Sequence, residues 1–155
     1  MLHKRWFKRL VKAAAFILFF IYIGCLIYFL FFSERYGRTE ISENYRYNLE
    51  PFKEIKRFWV YRDIIGCRMV MVNLLGNVLV FVPFGFLLPV FYSHMRRWYA
   101  ILPVALIFII LVECLQLVTR VGTFDVDDII LNMSGVILGF TIFKIFDYKH
   151  RRRTA

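Results

Sequence analysis

YAILPVALIFIILVECLQLVTRVGTFDVDDIILN, residues 99–132, decides the fold. Between Tyr99 and Val118 only Glu113 and Gln116 interrupt an apolar run. The chain then turns through a polar loop and becomes apolar again at Ile129. About 20 helical residues cross a hydrocarbon core roughly 30 Å thick, so this stretch reads as one membrane span, an aqueous turn and the start of the next. Working outward, similar runs fall at 13–32, 70–92 and 129–146, giving four predicted spans with 99–118. The chain has 155 residues, 60% of them hydrophobic, and a mean hydropathy of +0.59, too apolar for a soluble domain of this size. Only helices or closed barrels satisfy their backbone groups in lipid. The expectation is an all-α integral membrane protein forming a single membrane domain over 1–155.

The polar side chains inside these runs share one end. Asn73 and Asn77 stand near the start of the second span, Glu113, Gln116 and Arg120 at the end of the third, and Asp125, Asp127, Asp128 and Asn132 at the start of the fourth. Consecutive spans alternate in direction, so all nine gather at one membrane face. Glu113, Gln116 and Arg120 lie at i, i+3 and i+7 on one helical stripe, and Asn73/Asn77 and Asp128/Asn132 each lie at i, i+4. A carboxylate in a span costs about 2–3 kcal/mol when central and less near an end, so Glu113 is expected to face inward with a partner. That partner is either a structural network with Arg120 or an asparagine, or a ligand. Capping and the helix dipole account for one or two acids at a helix start. Three invite a further role: binding a divalent cation through oxygen, or accepting hydrogen bonds from a sugar or amine. No ligand spacing fixes a metal, and no cofactor motif is present. Gly76, Gly135 and Gly139 read as small-residue packing positions, while Pro83 and Gly85 are expected to kink or loosen the second span. Asn73-Leu-Leu-Gly76 and Asn132-Met-Ser-Gly135 form a faint repeat of the kind found where two hairpins are related about the membrane normal.

The formal charge of +10 first suggests nucleic acid, but its distribution does not. Lys4, Arg5, Lys8, Arg9 and Lys12 precede the first span, Arg96 and Arg97 fill the second loop, and Lys149 with Arg151 to Arg153 close the sequence. Short basic flanks mark the cytoplasmic side, so both termini are expected in the cytosol and the polar cluster outside. The 33–71 loop, with eight Lys and Arg against six acids, runs against this assignment. The N-terminus imitates a signal peptide but offers no small-x-small cleavage site after its apolar run, so an uncleaved anchor is expected. Cys25, Cys67 and Cys114 provide no disulfide framework. His3, His94 and His150 all fall on the expected cytoplasmic side, so a base at the cluster must be Glu113 or an aspartate with its pKa raised by burial.

Between the first two spans, 33–47 is polar and expected to be irregular. Asn48-Leu-Glu-Pro51 reads as a helix start with Asn48 or Glu50 as cap. Phe52, Ile55 and Trp59 then form an apolar stripe opposite Lys53, Lys56 and Arg57. Such a short amphipathic helix suits the membrane interface, or packs over the span ends as a lid.

Several ordered motifs between about 46 and 146 resemble the VanZ-like family of small bacterial membrane proteins. They are Asn48-Leu-x-Pro51-Phe52, Asn73-xx-Gly76-Asn77, Phe81-x-Pro83-x-Gly85, Glu113-xx-Gln116-xxx-Arg120, and Phe124-Asp125-x-Asp127-Asp128-xxx-Asn132-xx-Gly135-xxx-Gly139. Glu50 stands where the pattern has an apolar residue. The resemblance implies a bacterial cell membrane location and an envelope role, since the family takes its name from a protein linked to resistance to the glycopeptide teicoplanin. It implies no mechanism, and whether a reaction is catalysed stays open. Three readings follow. The first is an outward-facing polar and acidic site that binds an envelope component, such as a lipid-linked wall precursor or the lipid part of a lipoglycopeptide. The second is an intramembrane enzyme acting on a lipid-linked phosphate or amide with Glu113 as base. The third is a small homo-oligomeric transporter or a structural partner protein. Membrane lipids are partners in each, and nucleic acid in none.

Overall fold

Apolar runs joined by short connections must fold back on one another. The computed structural model, which describes residues 2–31 and 44–154, has that form. In chain order it consists of α1 (Leu2–Phe31), β1 (Tyr47–Asn48), α2 (Lys53–Val60), α3 (Arg62–Ile65), α4 (Cys67–Phe91), a 3-10 turn (Ser93–Arg96), α5 (Trp98–Thr119), β2 (Phe124–Asp125) and α6 (Val126–Thr154). Helices α4, α5 and α6 are each long and apolar enough to cross a membrane, and α1 carries a shorter apolar stretch, Ala13–Tyr28. The protein is an all-α membrane protein of about four spans. The third span matches its expected bounds within one residue at each end. The fourth begins earlier than expected, at Val126, which draws Asp127 and Asp128 into the first helical turn. Phe32 and residues 33–43 of the irregular stretch expected at 33–47 lie outside the described residues.

The helices are apolar on both sides, as lipid requires. On α5, Ile101, Ala105 and Ile109 are buried in the bundle, while Ile107, Leu111 and Val118 face outward at 55–69% exposure. Water does not tolerate such continuous apolar faces, whereas acyl chains do. The tightest pair is α4 with α6, which run parallel. A Cβ added at Gly85 would strike the Val136 carbonyl oxygen, one at Gly135 that of Val78, and one at Gly139 that of Val82, each well under 3.0 Å. Small residues thus let the two backbones touch. This supports the packing role expected for Gly135 and Gly139 and corrects the expectation for Gly85. That glycine joins two helices rather than loosening one, and α4 continues unbroken through Pro83 and Pro89. Antiparallel to α4 runs α1, with Phe19 against Phe84 and Phe91 and the Tyr22 hydroxyl donating to the Val80 carbonyl at 2.9 Å. From the other side Phe108 of α5 stacks on Phe84 at 5.1 Å.

One feature departs from an all-helical expectation. Residues 47–48 pair in parallel with 124–125, Tyr47 opposite Phe124 and Asn48 opposite Asp125, and the Phe124 amide donates to the Arg46 carbonyl at 3.1 Å. Two polar segments crossing the same helix ends satisfy their backbone groups on each other. The stretch just before α2 is therefore ordered against the α5–α6 turn, not irregular.

Candidate functional site

The α5–α6 turn organises the end of the bundle where α4 and α6 begin. Arg120 closes α5 in the left-handed conformation (φ 57°). Its amide donates to the Leu117 carbonyl at 3.1 Å, and the Gly122 amide to that of Gln116 at 3.3 Å. A Cβ at Gly122 would press on the Gln116 side chain at 3.2 Å, so glycine lets the loop lie flat over the end of α5. This return brings the Asp125 amide to the Glu113 carboxylate, which accepts it at 3.2 Å.

Each acid then has a distinct task. Asp125 caps α6, its Oδ1 accepting the Asp127 amide at 2.8 Å in the usual N-cap manner. The same oxygen accepts the Asn48 side-chain amide at 3.0 Å. Asp127, only 1% exposed, reaches across to α2, and its carboxylate accepts the backbone amides of Phe52, Glu54 at 2.8 Å and Ile55 at 3.1 Å. Asp128 accepts the side-chain amide of Asn77 from α4. The apparent excess of acids over capping needs is resolved, because Asp127 caps a second helix. Neither Asn48 nor Glu50 caps α2 as expected. The oxygen of Asn48 instead turns the chain by accepting the Glu50 amide at 3.2 Å, and α2 starts only after Phe52, which is left-handed at φ 64°.

Above these contacts lies a cavity of about 210 Å³, walled by Asn73, Leu74, Asn77, Asp128 and Leu131 from α4 and α6. Arg120 to Thr123 and Asp125 close it from the turn, Arg46 from beside β1, and Glu54, Ile55 and Phe58 from α2, with Asp127 below. Of the nine expected site residues, Asn73, Asn77, Arg120, Asp125, Asp127 and Asp128 line it. Glu113, Gln116 and Asn132 do not; they are buried behind it, at 1%, 2% and 2% exposure. The side-chain oxygen of Asn132 has no hydrogen-bond partner among the described residues. The Asn73 amide turns back to its own helix, donating to the Met69 carbonyl at 2.9 Å. The guanidinium of Arg120 lies 4.6 Å over the Tyr45 ring.

Arg46, Glu54 and Thr123 also line the cavity and were not expected there. They also line an adjoining cleft of about 510 Å³ with Lys53 and Arg57. The one sequence signal for Glu54 was its position on the amphipathic helix; Arg46 had none. The apolar stripe needs correction as well. Ile55 and Phe58 turn to the cavity, whereas Trp59 points away at 64% exposure. Among the described residues no group of three or more His, Cys, Asp or Glu is arranged to hold a metal ion.

Burial pushes the Glu54 carboxyl above its ordinary range, against the pull of Arg57 at 2.6 Å. Burial raises Asp125 too, opposed by its bonds from the Asp127 amide and Asn48. A carboxyl whose folded value exceeds its unfolded one adds stability that is complete below the unfolded value and lost as pH rises through the folded one. Docking of α2 is therefore expected to tighten as pH falls through neutrality toward the ordinary carboxylate range. Thermal unfolding midpoints of wild type and Glu54→Gln across this range check it: the slope that the substitution removes must have this sign.

The family model described as VanZ/LLP1 matches residues 19–147, which take in the C-terminal part of α1 and every element around the cavity. "Protein VanZ" of Enterococcus faecium is 27% identical over 128 residues, spanning 79% of this chain and 69% of that protein. No solved structure matches the chain.

Proposed function

The chain belongs to the VanZ/LLP1 family, and from that premise we propose that its polar cavity binds a component of the bacterial cell envelope at the outer membrane face. One observation carries the reading: two arginines and several carboxylates and amides line a single cavity at the end of an otherwise apolar bundle. Arg46 and Arg120 suit a phosphate or carboxylate, which guanidinium groups bind through charge-assisted hydrogen bonds. Glu54 and Asp128 suit an amine or sugar hydroxyl. The cavity of about 210 Å³ bounded by these groups has room for a headgroup. The adjoining cleft takes the remainder. A lipid-linked wall precursor or a lipoglycopeptide combines such a head with an acyl or prenyl tail that the bilayer solvates. Under this reading the protein contributes to teicoplanin resistance by engaging the drug or the precursor beside it. The basic clusters at 4–12, 96–97 and 149–153 support cytoplasmic termini and hence an outward cavity. Intramembrane catalysis with Glu113 as base has less support, because that carboxylate is 1% exposed and turned onto the Asp125 amide.

The test has two arms. Lipids and envelope precursors co-purifying with wild type are compared with those on Arg120→Gln, which keeps length and polarity but loses the charge. A charge-assisted bond of about 1.5–3 kcal/mol corresponds to roughly tenfold or greater loss of the bound species. Equal material on both proteins defeats the binding reading. In the second arm, Thr123→Cys in a protein lacking Cys25, Cys67 and Cys114 is expected to react with an impermeant thiol reagent added to intact cells.

A further inference from the structure

We infer that the outward face of α2–α3 is a docking surface for anionic phospholipid headgroups, so that the helix covering the cavity is itself seated in the membrane interface. Ile55 and Phe58 are turned to the cavity, which leaves the rest of the segment to face away from the bundle. There Trp59, Val60, Tyr61 and Ile64 are 64%, 68%, 50% and 83% exposed. Gly66, at φ 88°, turns the chain directly into α4, so the patch lies within a few residues of a membrane span. Its rim is mainly cationic: Lys56, Arg57, Arg62 and Arg68 are all exposed, against one exposed acid, Asp63, 3.9 Å from Arg62, while Arg57 also pairs with Glu54 at 2.6 Å. The Arg62 guanidinium lies 5.1 Å over the Trp59 ring and donates to the Trp59 carbonyl at 3.2 Å, which holds a charge against the apolar surface. An aromatic and aliphatic body with a basic edge fits the boundary between acyl chains and anionic headgroups. A second copy of the same face fits poorly, because a two-fold contact would oppose like charges. Lipid docking also accounts for the basic surplus of a loop that the orientation rule assigns to the outer side. Those charges serve the headgroup layer instead of setting topology.

The experiment uses the full chain in nanodiscs, with Trp6→Phe and Trp98→Phe so that Trp59 alone fluoresces. In phosphatidylglycerol discs its emission is expected to be blue-shifted and quenched by lipid-borne quenchers about twice as strongly as in phosphatidylcholine discs, the difference closing at high salt. Lys56→Gln, Arg62→Gln and Arg68→Gln together are expected to remove the difference. If that variant does not fold, the salt series on the unsubstituted rim decides. Solvent-like emission in phosphatidylglycerol discs, or equal quenching in both lipids, overturns the inference. Disulfide cross-linking of chain pairs through Ile64→Cys overturns it as well, in favour of a second copy. Arg120 takes no part in this surface, so failure here leaves the cavity reading standing.

Discussion

Gly139→Ala is expected to lower the stability of the helix bundle by about 3 kcal/mol, despite being the smallest change a glycine allows. Its new methyl group would overlap the Val82 carbonyl oxygen and crowd the Phe86 amide, and neither can yield without moving the α4 backbone. Soluble helices forced apart still gain by excluding water. Between spans that driving force is missing and close packing itself holds the pair. Because α4 and α6 run parallel through Gly135 and Gly139, relief at one point shifts the whole contact. The loss should reach about 3 kcal/mol, the upper range for overpacking, out of a total of roughly 5–15 kcal/mol. Gly24→Ala is the control, since a Cβ there meets nothing within 4 Å. Thermal unfolding in detergent distinguishes the two. A Gly139→Ala protein as stable as Gly24→Ala removes the argument for backbone contact.

Asp127→Ala is expected to release α2 from the bundle while the spans stay folded. Three backbone amides lose their acceptor, and each buried amide left without one costs about 1–3 kcal/mol. The segment avoids most of that sum by lifting into water, which caps the global penalty near 3 kcal/mol. Hydrogen exchange at Phe52, Glu54 and Ile55 reads the event directly. Their amides should exchange roughly 100-fold faster, the equivalent of about 3 kcal/mol, while α5 and α6 keep their protection. Asp127→Asn retains an acceptor without the charge and should fall between. Unchanged exchange at these amides in the alanine variant means something else holds α2. The cavity loses its Glu54, Ile55 and Phe58 wall when α2 lifts, so ligand binding should fall in step with protection.

Both variants mark where the sequence stops being informative. The apolar runs and the gathering of Asn73, Asn77, Arg120 and the aspartates at one end of the bundle were legible, because bilayer thickness turns a span into a property of length and hydropathy. Gly135 and Gly139 were legible too, since small residues in a span have few uses besides packing. Partner choice was not. The amides capped by Asp127 lie 72 to 75 residues away, and no local pattern announces a cap supplied from that distance. Without it, three neighbouring acids exceed what the capping of a single helix explains. Nor did periodicity tell which apolar side chains of α2 turn to the bundle. Ile55, Phe58 and Trp59 all fit an amphipathic helix, and rotation by one residue changes which of them faces inward. That rotation is set by the Asp127 cap and by the pairing of Tyr47 and Asn48 with Phe124 and Asp125. Sequence alone determined that these hydrophilic groups would collect at one end of the bundle, because they stand at the span ends that neighbouring helices of alternating direction bring together. Tertiary structure decided which of them hold the fold and which meet the cavity, because hydrogen bonds depend on distances through space that spacing along the chain does not encode.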